Sequence, residues 1–154
     1  MLVYRIGTSR YPANDGAGAA TYGGRWNPIG TPLIYAAASR ALCALEILAG
    51  SRELADDYIS IPIELPSDMM SRTLSIGDLP EDWNSARHNS STREIGAAWA
   101  LSMATAVLVV PSAVLARECN YLINPRHPDF SRITFHPAEP FGFDERLAAR
   151  VGGR

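Results

Sequence analysis

Residues 21–50 read TYGGRWNPIGTPLIYAAASRALCALEILAG, and the turn, short strand and helix they encode set the class of fold. Asn27-Pro28 and Gly30-Thr31-Pro32 force turns. The apolar residues 33–36 between such turn signals predict a short buried strand. Ser39 is placed to cap a helix over 40–49, rich in alanine and leucine, that Gly50 ends.

Outward from this stretch, the apolar LVYRI at 2–6 predicts a first strand, with Arg5 breaking its pattern. Residues 7–24 hold five glycines and a proline and predict a loop; 25–27 could continue into a strand edge. Towards the C-terminus, 57–65 alternates as a strand, with Pro62 pointing to an edge position, and 71–76 reads as another. Residues 77–91 are polar and predict an ordered connection. Thr92 would cap a second helix through about Met103, with Trp99 on its buried face. VLVV at 107–110 should be a central strand closed by Pro111-Ser112. Residues 120–127 begin as a strand and end in a turn, and 132–135 would be the last strand. With no repeat and no linker, the chain reads as a single α+β domain over 1–154.

Composition narrows the function classes. The chain has 154 residues, 47% hydrophobic and 19% charged, which suits one globular domain with a substantial core. A net charge of -2 gives no electrostatic ground for direct nucleic-acid binding. The longest nearly apolar run, 97–110, is too short for a membrane span, and the N-terminus lacks the pattern of a signal peptide. A cytoplasmic protein is expected. Cys43 and Cys119 stand in no metal or redox spacing and read as reduced thiols. His88, His127 and His136 lack metal-ligand spacing, so no metal is expected; His127 reads as a turn histidine or a group just behind a site.

The chemistry concentrates on a few residues. Glu46 sits in an apolar helix whose residues three and four away, Leu42, Cys43, Ala49 and Gly50, cannot pair with it. It is either solvated on a narrow polar face with Arg40 or directed into a site, since unpartnered burial would cost several kcal/mol. Arg25 follows two glycines that would let a ligand approach its fork, which suits phosphate or carboxylate; pinning a loop explains it equally well. Arg5 has the same two readings, the structural one favoured. Tyr35 is either a wall residue with its hydroxyl tied up or a ligand contact. Ser112 reads first as a turn serine, and alternatively as a polar group at a strand end. No GxSxG elbow, P-loop or GxGxxG follows a strand.

Taken together, GGRWN followed by Gly30 and Tyr35, the glutamate of ALEIL, VPSA and NYLINPRHP resemble the RES-domain family, in the family's order and from the YRI strand to about Phe130. The resemblance implies a fold like that of the ADP-ribosyltransferases, with central mixed or antiparallel sheets and flanking helices. It implies the toxin of a bacterial type II toxin–antitoxin system that consumes NAD+ as substrate, by hydrolysis or phosphorolysis, without a metal. The alternative is a mono-ADP-ribosyltransferase acting on a protein acceptor, and less so a non-catalytic binding module. The partner implied is an Xre-type antitoxin that covers the site and carries its own DNA-binding unit; a homodimer within that complex is allowed. By the resemblance Glu46, Arg25, Tyr35 and Ser112 are catalytic candidates. Arg25 would bind pyrophosphate or ribose and Tyr35 would pack on the nicotinamide side. Ser112 would contact the ligand or orient Glu46. Arg5, Asn27 and Asn120 join Arg25 and Tyr35 as ligand-binding candidates.

Overall fold

The structure is a computed structural model that describes residues 1–87 and 90–152. His88, with the part of the 77–91 connection at 88 and 89, lies outside the described residues. The strands are β1 (Leu2–Thr8), β2 (Ile34–Ala37), β3 (Tyr58–Glu64), β4 (Ser71–Thr73), β5 (Val107–Pro111), β6 (Cys119–Ile123), β7 (Thr134–Phe135) and β8 (Glu139–Pro140). The helices are α1 (Ala17–Tyr22), α2 (Arg40–Gly50), α3 (Ser90–Ser102) and α4 (Glu145–Gly152). The strands form one mixed sheet in the order β4-β5-β6-β2-β1-β3-β7, with β8 also on β3. Only the β4–β5 pair is parallel. The α+β reading of the sequence holds.

The sheet is weakest at its middle. β1 is joined to β3 through seven register pairs from Leu2↔Glu64 to Thr8↔Tyr58, and β2 to β6 through four. Between β1 and β2 there is a single pair, Tyr4↔Ala37. Backbone groups on either side of this split therefore need other partners. Arg5 Nη1 supplies one, donating to the Tyr35 carbonyl at 3.2 Å.

Apolar residues fill both faces of the sheet. Val3, Ile34, Ile61, Ile63, Val107 and Ile123 form one cluster. Trp26, Leu33, Trp83, Trp99, Leu108, Val110 and Leu122 form another under α3. Ile6, Ala37, Leu42 and Cys43 hold α2. Trp99 is buried as expected, its indole donating to Thr105 Oγ1 at 3.0 Å. Gly96 lets α3 sit directly on the Trp26 backbone, where a Cβ would collide with the Trp26 carbonyl oxygen.

Several expectations are corrected. β5 is one strand in from the edge; its run of valines reflects burial on both faces, with Leu108 and Val110 turned to α3 and Val107 to the opposite cluster. β3 is not the sheet's edge, yet Pro62 fits because that side is covered only by the two-residue strands β7 and β8. Its carbonyl accepts from His136 N at 2.9 Å, so its proton-less nitrogen faces the gap between them. Thr92 lies buried inside α3, which starts at Ser90. Residues 25–27 form no strand, with a bend at 25 and 26, and 132–135 contributes only two strand residues after a 3-10 turn, Pro128–Arg132. Within the expected 7–24 loop, α1 forms where Asp15 Oδ1 accepts from Ala17 N at 2.9 Å. Helix α4, for which no element was anticipated, docks through buried Val151.

Candidate active site

The split between β1 and β2 opens into a cavity of about 690 Å3. Arg5, Tyr35 and Asn120 line it from the sheet, Glu46 from α2, Tyr22 from α1, and Arg25 and Asn84 from the loops. Its volume is in the range of small-molecule sites, roughly 300–1,000 Å3.

Glu46 is brought here by the phase of α2. Ser39 Oγ accepts from Leu42 N at 3.1 Å and fixes the start of the helix. Leu42 and Cys43 then face inward, and Glu46 follows one turn later on the cavity side. Of the two readings of this carboxylate, the structure takes the directed one. Arg40, its alternative companion, turns away to Glu139 at 2.9 Å, to Ser60 Oγ at 3.1 Å, and over the Tyr4 ring. Glu46 Oε1 accepts from Ser112 Oγ at 2.7 Å and from Asn120 Nδ2 at 2.6 Å. Among the described residues, nothing is bonded to Oε2.

Ser112 is both a turn serine and a partner of Glu46. Its hydroxyl accepts from Val114 N at 3.1 Å and Leu115 N at 3.0 Å while donating to the carboxylate. That uses the donor and both acceptor sites of a hydroxyl, and Ser112 itself does not line the cavity. A direct contact from its oxygen to a ligand is therefore not part of this arrangement.

The Arg25 fork is turned onto backbone. Nη1 donates to Trp83 O at 2.8 Å and Nη2 to Ser85 O at 3.0 Å, which fixes the backbone on either side of the cavity-lining Asn84. The loop-pinning reading is thus realised, while the half-buried guanidinium still lines the cavity. Burial lowers its pKa, and Glu46 and Tyr35 oppose that shift. Arg5 is enclosed more deeply. Its Nε is a buried nitrogen without a hydrogen-bond partner among the described residues. Burial lowers its pKa too, against the influence of Cys43 and Asp15.

Tyr35 has its hydroxyl tied up. It donates to Asn27 Oδ1 at 2.6 Å and accepts from Trp26 N at 3.1 Å, and burial raises its pKa well above the usual phenol value. Its ring remains a wall of the cavity. Asn27 does not reach the cavity: it is fully buried, and its Nδ2 donates to the carbonyls of Ala19, Pro28 and Thr31. It knots the glycine loop from behind, and its placement as a ligand contact is corrected accordingly. His127 is likewise a turn residue, with Nδ1 accepting from Asp129 N at 3.0 Å.

Sequence reasoning missed the cavity-lining Asn84 and Ala86, Arg93, whose Nε donates to Gly24 O at 3.1 Å, and the cavity-lining Tyr22. The loop and Arg93 are far in sequence from the glycines they meet, and no local pattern marks them. Cys43 and Cys119 are both free thiols. Burial raises the Cys43 thiol to about 11, and its Sγ donates to Tyr4 O at 3.0 Å.

The mixed sheet and its packed helices make this an α+β domain, in which a glutamate is held by a serine and an asparagine beside the opening between the middle strands. The same fold is found in the crystal structure of the M. tuberculosis MbcT-MbcA toxin-antitoxin complex, with a TM-score of 0.76 at 19% identity over 99% of this chain and 89% of that one. The RES domain model matches residues 2–144, and the chain belongs to the RES-domain family. It is 40% identical over 152 residues to a protein named Toxin Res of Photorhabdus laumondii, covering 96% of this chain and 97% of that protein. It is 37% identical over 156 residues to the Prs ADP-ribosylating toxin of a Sphingobium species, covering 96% and 97%.

Proposed function

We propose that the chain is the toxin of a toxin–antitoxin pair and consumes NAD+ by cleaving the nicotinamide–ribose bond. The observation that carries this reading is Glu46, tethered through Oε1 with no bond to Oε2 among the described residues, on the wall of a cavity that also holds two arginines. In the cleavage, the bond between ribose C1′ and the pyridinium nitrogen breaks heterolytically and its electron pair leaves with nicotinamide. Positive charge develops on the ribose as an oxocarbenium-like state. A fixed carboxylate beside it stabilises that charge and orients the ribose hydroxyls. The guanidinium of Arg5, whose Nε has no hydrogen-bond partner among the described residues, and the remaining donors of Arg25 supply charge for a pyrophosphate, and the Tyr35 ring offers a flat wall for the nicotinamide side. Attack by water at C1′ then yields ADP-ribose and a proton, and attack by phosphate yields ADP-ribose phosphorylated at the same carbon.

A second reading sends ADP-ribose to a protein. The relative named as an ADP-ribosylating toxin favours it, and the bond-breaking residues would be the same. A non-catalytic binding module is the weakest reading and requires Glu46→Ala to leave toxicity unchanged. The partner is read as an antitoxin, in keeping with the likeness to a toxin solved with its antitoxin; the Xre type rests on the family resemblance alone. Residues 1–154 are read as one RES domain acting in the cytoplasm; among the described residues, no helix is long and apolar enough to cross a membrane.

The test incubates the purified chain with NAD+ and follows free nicotinamide, with water alone, with phosphate, and with cell extract. Release in any of the three supports cleavage, and labelled NAD+ separates free ADP-ribose from a labelled protein band. No release under all three conditions refutes it.

A further inference from the structure

We propose that Asn120 is a positioning residue that acts through Glu46: with Ser112 it holds Oε1, the carboxylate oxygen that carries all the hydrogen bonds found among the described residues, and leaves Oε2 as the oxygen that works in the cavity. The consequence for catalysis rests on the NAD+-cleaving reading; the clamp itself does not.

The clamp is built by the sheet. Asn120 lies on β6 opposite Val110 of β5, and Ser112 follows directly after β5, whose last residue Pro111 pairs with Cys119. This register sets the amide and the hydroxyl side by side at one end of the two strands. Glu46 arrives from α2, a separate element, and its Oε1 meets both donors, at 2.6 Å from Asn120 Nδ2 and 2.7 Å from Ser112 Oγ. One donor would leave the carboxylate free to swing about that contact. Two donors converging on one oxygen, one from β6 and one from just beyond the end of β5, fix both its position and the direction of the other oxygen. Bonds to an ionised acceptor are also short and about twice as strong as neutral ones.

Ser112 cannot follow a moving carboxylate, because its oxygen is held by the amides of Val114 and Leu115. Asn120 lines the cavity, which makes it look like a ligand contact. Yet turning its amide nitrogen to a ligand would release Glu46. Asn120 therefore sets where Oε2 stands, and the affinity for substrate is set by other residues.

The experiment compares Asn120→Ala with the unaltered chain for nicotinamide release and NAD+ binding. The expected result is a loss of about 10–100-fold in kcat with KM within about two-fold, the signature of a misplaced reacting group. Asn120→Asp should fall lower still, since it removes the donor and sets a second carboxylate against the first. In a Glu46→Gln background, Asn120→Ala should add less than about three-fold, because both changes act through one atom. A tenfold weaker NAD+ affinity with kcat intact, or an undiminished effect in the Glu46→Gln background, overturns the proposal.

If the unaltered chain releases no nicotinamide, the cleavage reading fails and the clamp is decided by stability instead. Asn120→Ala and Glu46→Ala should then be non-additive in urea midpoint. Additive shifts overturn the clamp.

Discussion

Gly24→Ala tests how tightly the wall of the cavity is built. Gly24 needs no unusual backbone, as its φ lies outside the left-handed region; its constraint is space. A Cβ there would stand 2.6 Å from the Tyr35 hydroxyl oxygen, 2.9 Å from Asn27 Oδ1 and 3.1 Å from Tyr35 Cζ. The first two atoms are the partners of the 2.6 Å bond that ties Tyr35 to the glycine loop. Neither is a free side-chain end. Asn27 is locked by three donations to carbonyls, and the Tyr35 hydroxyl also holds Trp26 N. Relief of the clash must move the ring and break that bond. Overpacking costs about 1–3 kcal/mol, and a buried polar group left without its partner costs about 1–3 kcal/mol more. The expected total is about 2–6 kcal/mol, read as a lower urea midpoint with unchanged slope. Tyr35→Phe removes the oxygen that collides first, so in the double variant the two losses should sum to less than their separate values. Strict additivity, or a Gly24→Ala cost below about 0.5 kcal/mol, would refute the reasoning.

Arg25→Lys cannot span the carbonyls of both Trp83 and Ser85 with a planar fork, so the 83–85 segment should become cleavable by limited proteolysis and nicotinamide release should stay well below that of the unaltered chain. Glu46→Gln keeps the shape and removes the charge; turnover should fall by about 100-fold or more while NAD+ affinity, measured by calorimetry, changes little. Cys43 gives a pH dependence of stability. Its thiol is raised from its ordinary 9.0 to about 11 in the fold, so above pH 9 the unfolded chain binds fewer protons than the native one. Its contribution is complete below pH 9 and is lost as pH rises to about 11. Urea midpoints across that window should fall more steeply for the unaltered chain than for Cys43→Ala, and equal slopes would contradict the assignment.

Local signals carried much of the fold. Ser39 capping Leu42 N, the apolar 33–36 strand and the valine run at 107–110 are short-range features, and each appears where its pattern places it. Helix α1 escaped notice because Gly16 and Gly18 argue against a helix, while the Asp15 contact that supports it is a matter of geometry. The two-residue strands β7 and β8 exist through pairing with β3 and have no strand signal of their own.

The same division runs through the candidate site. By itself the sequence marked Glu46 as a carboxylate without a helical partner and Arg25 as an arginine beside paired glycines, because both anomalies lie within a few residues. It left open whether each was structural. Only the tertiary structure decided that Arg25 grips residues 83–85, that Asn27 lies behind the wall, and that Ser112 and Asn120 meet on one oxygen of Glu46. Those contacts join residues 58 to 74 positions apart along the chain in the cases of Arg25 with Trp83 and of Glu46 with Asn120. Such pairings are set by strand register and helix phase acting together, and neither can be read from the residues next to them.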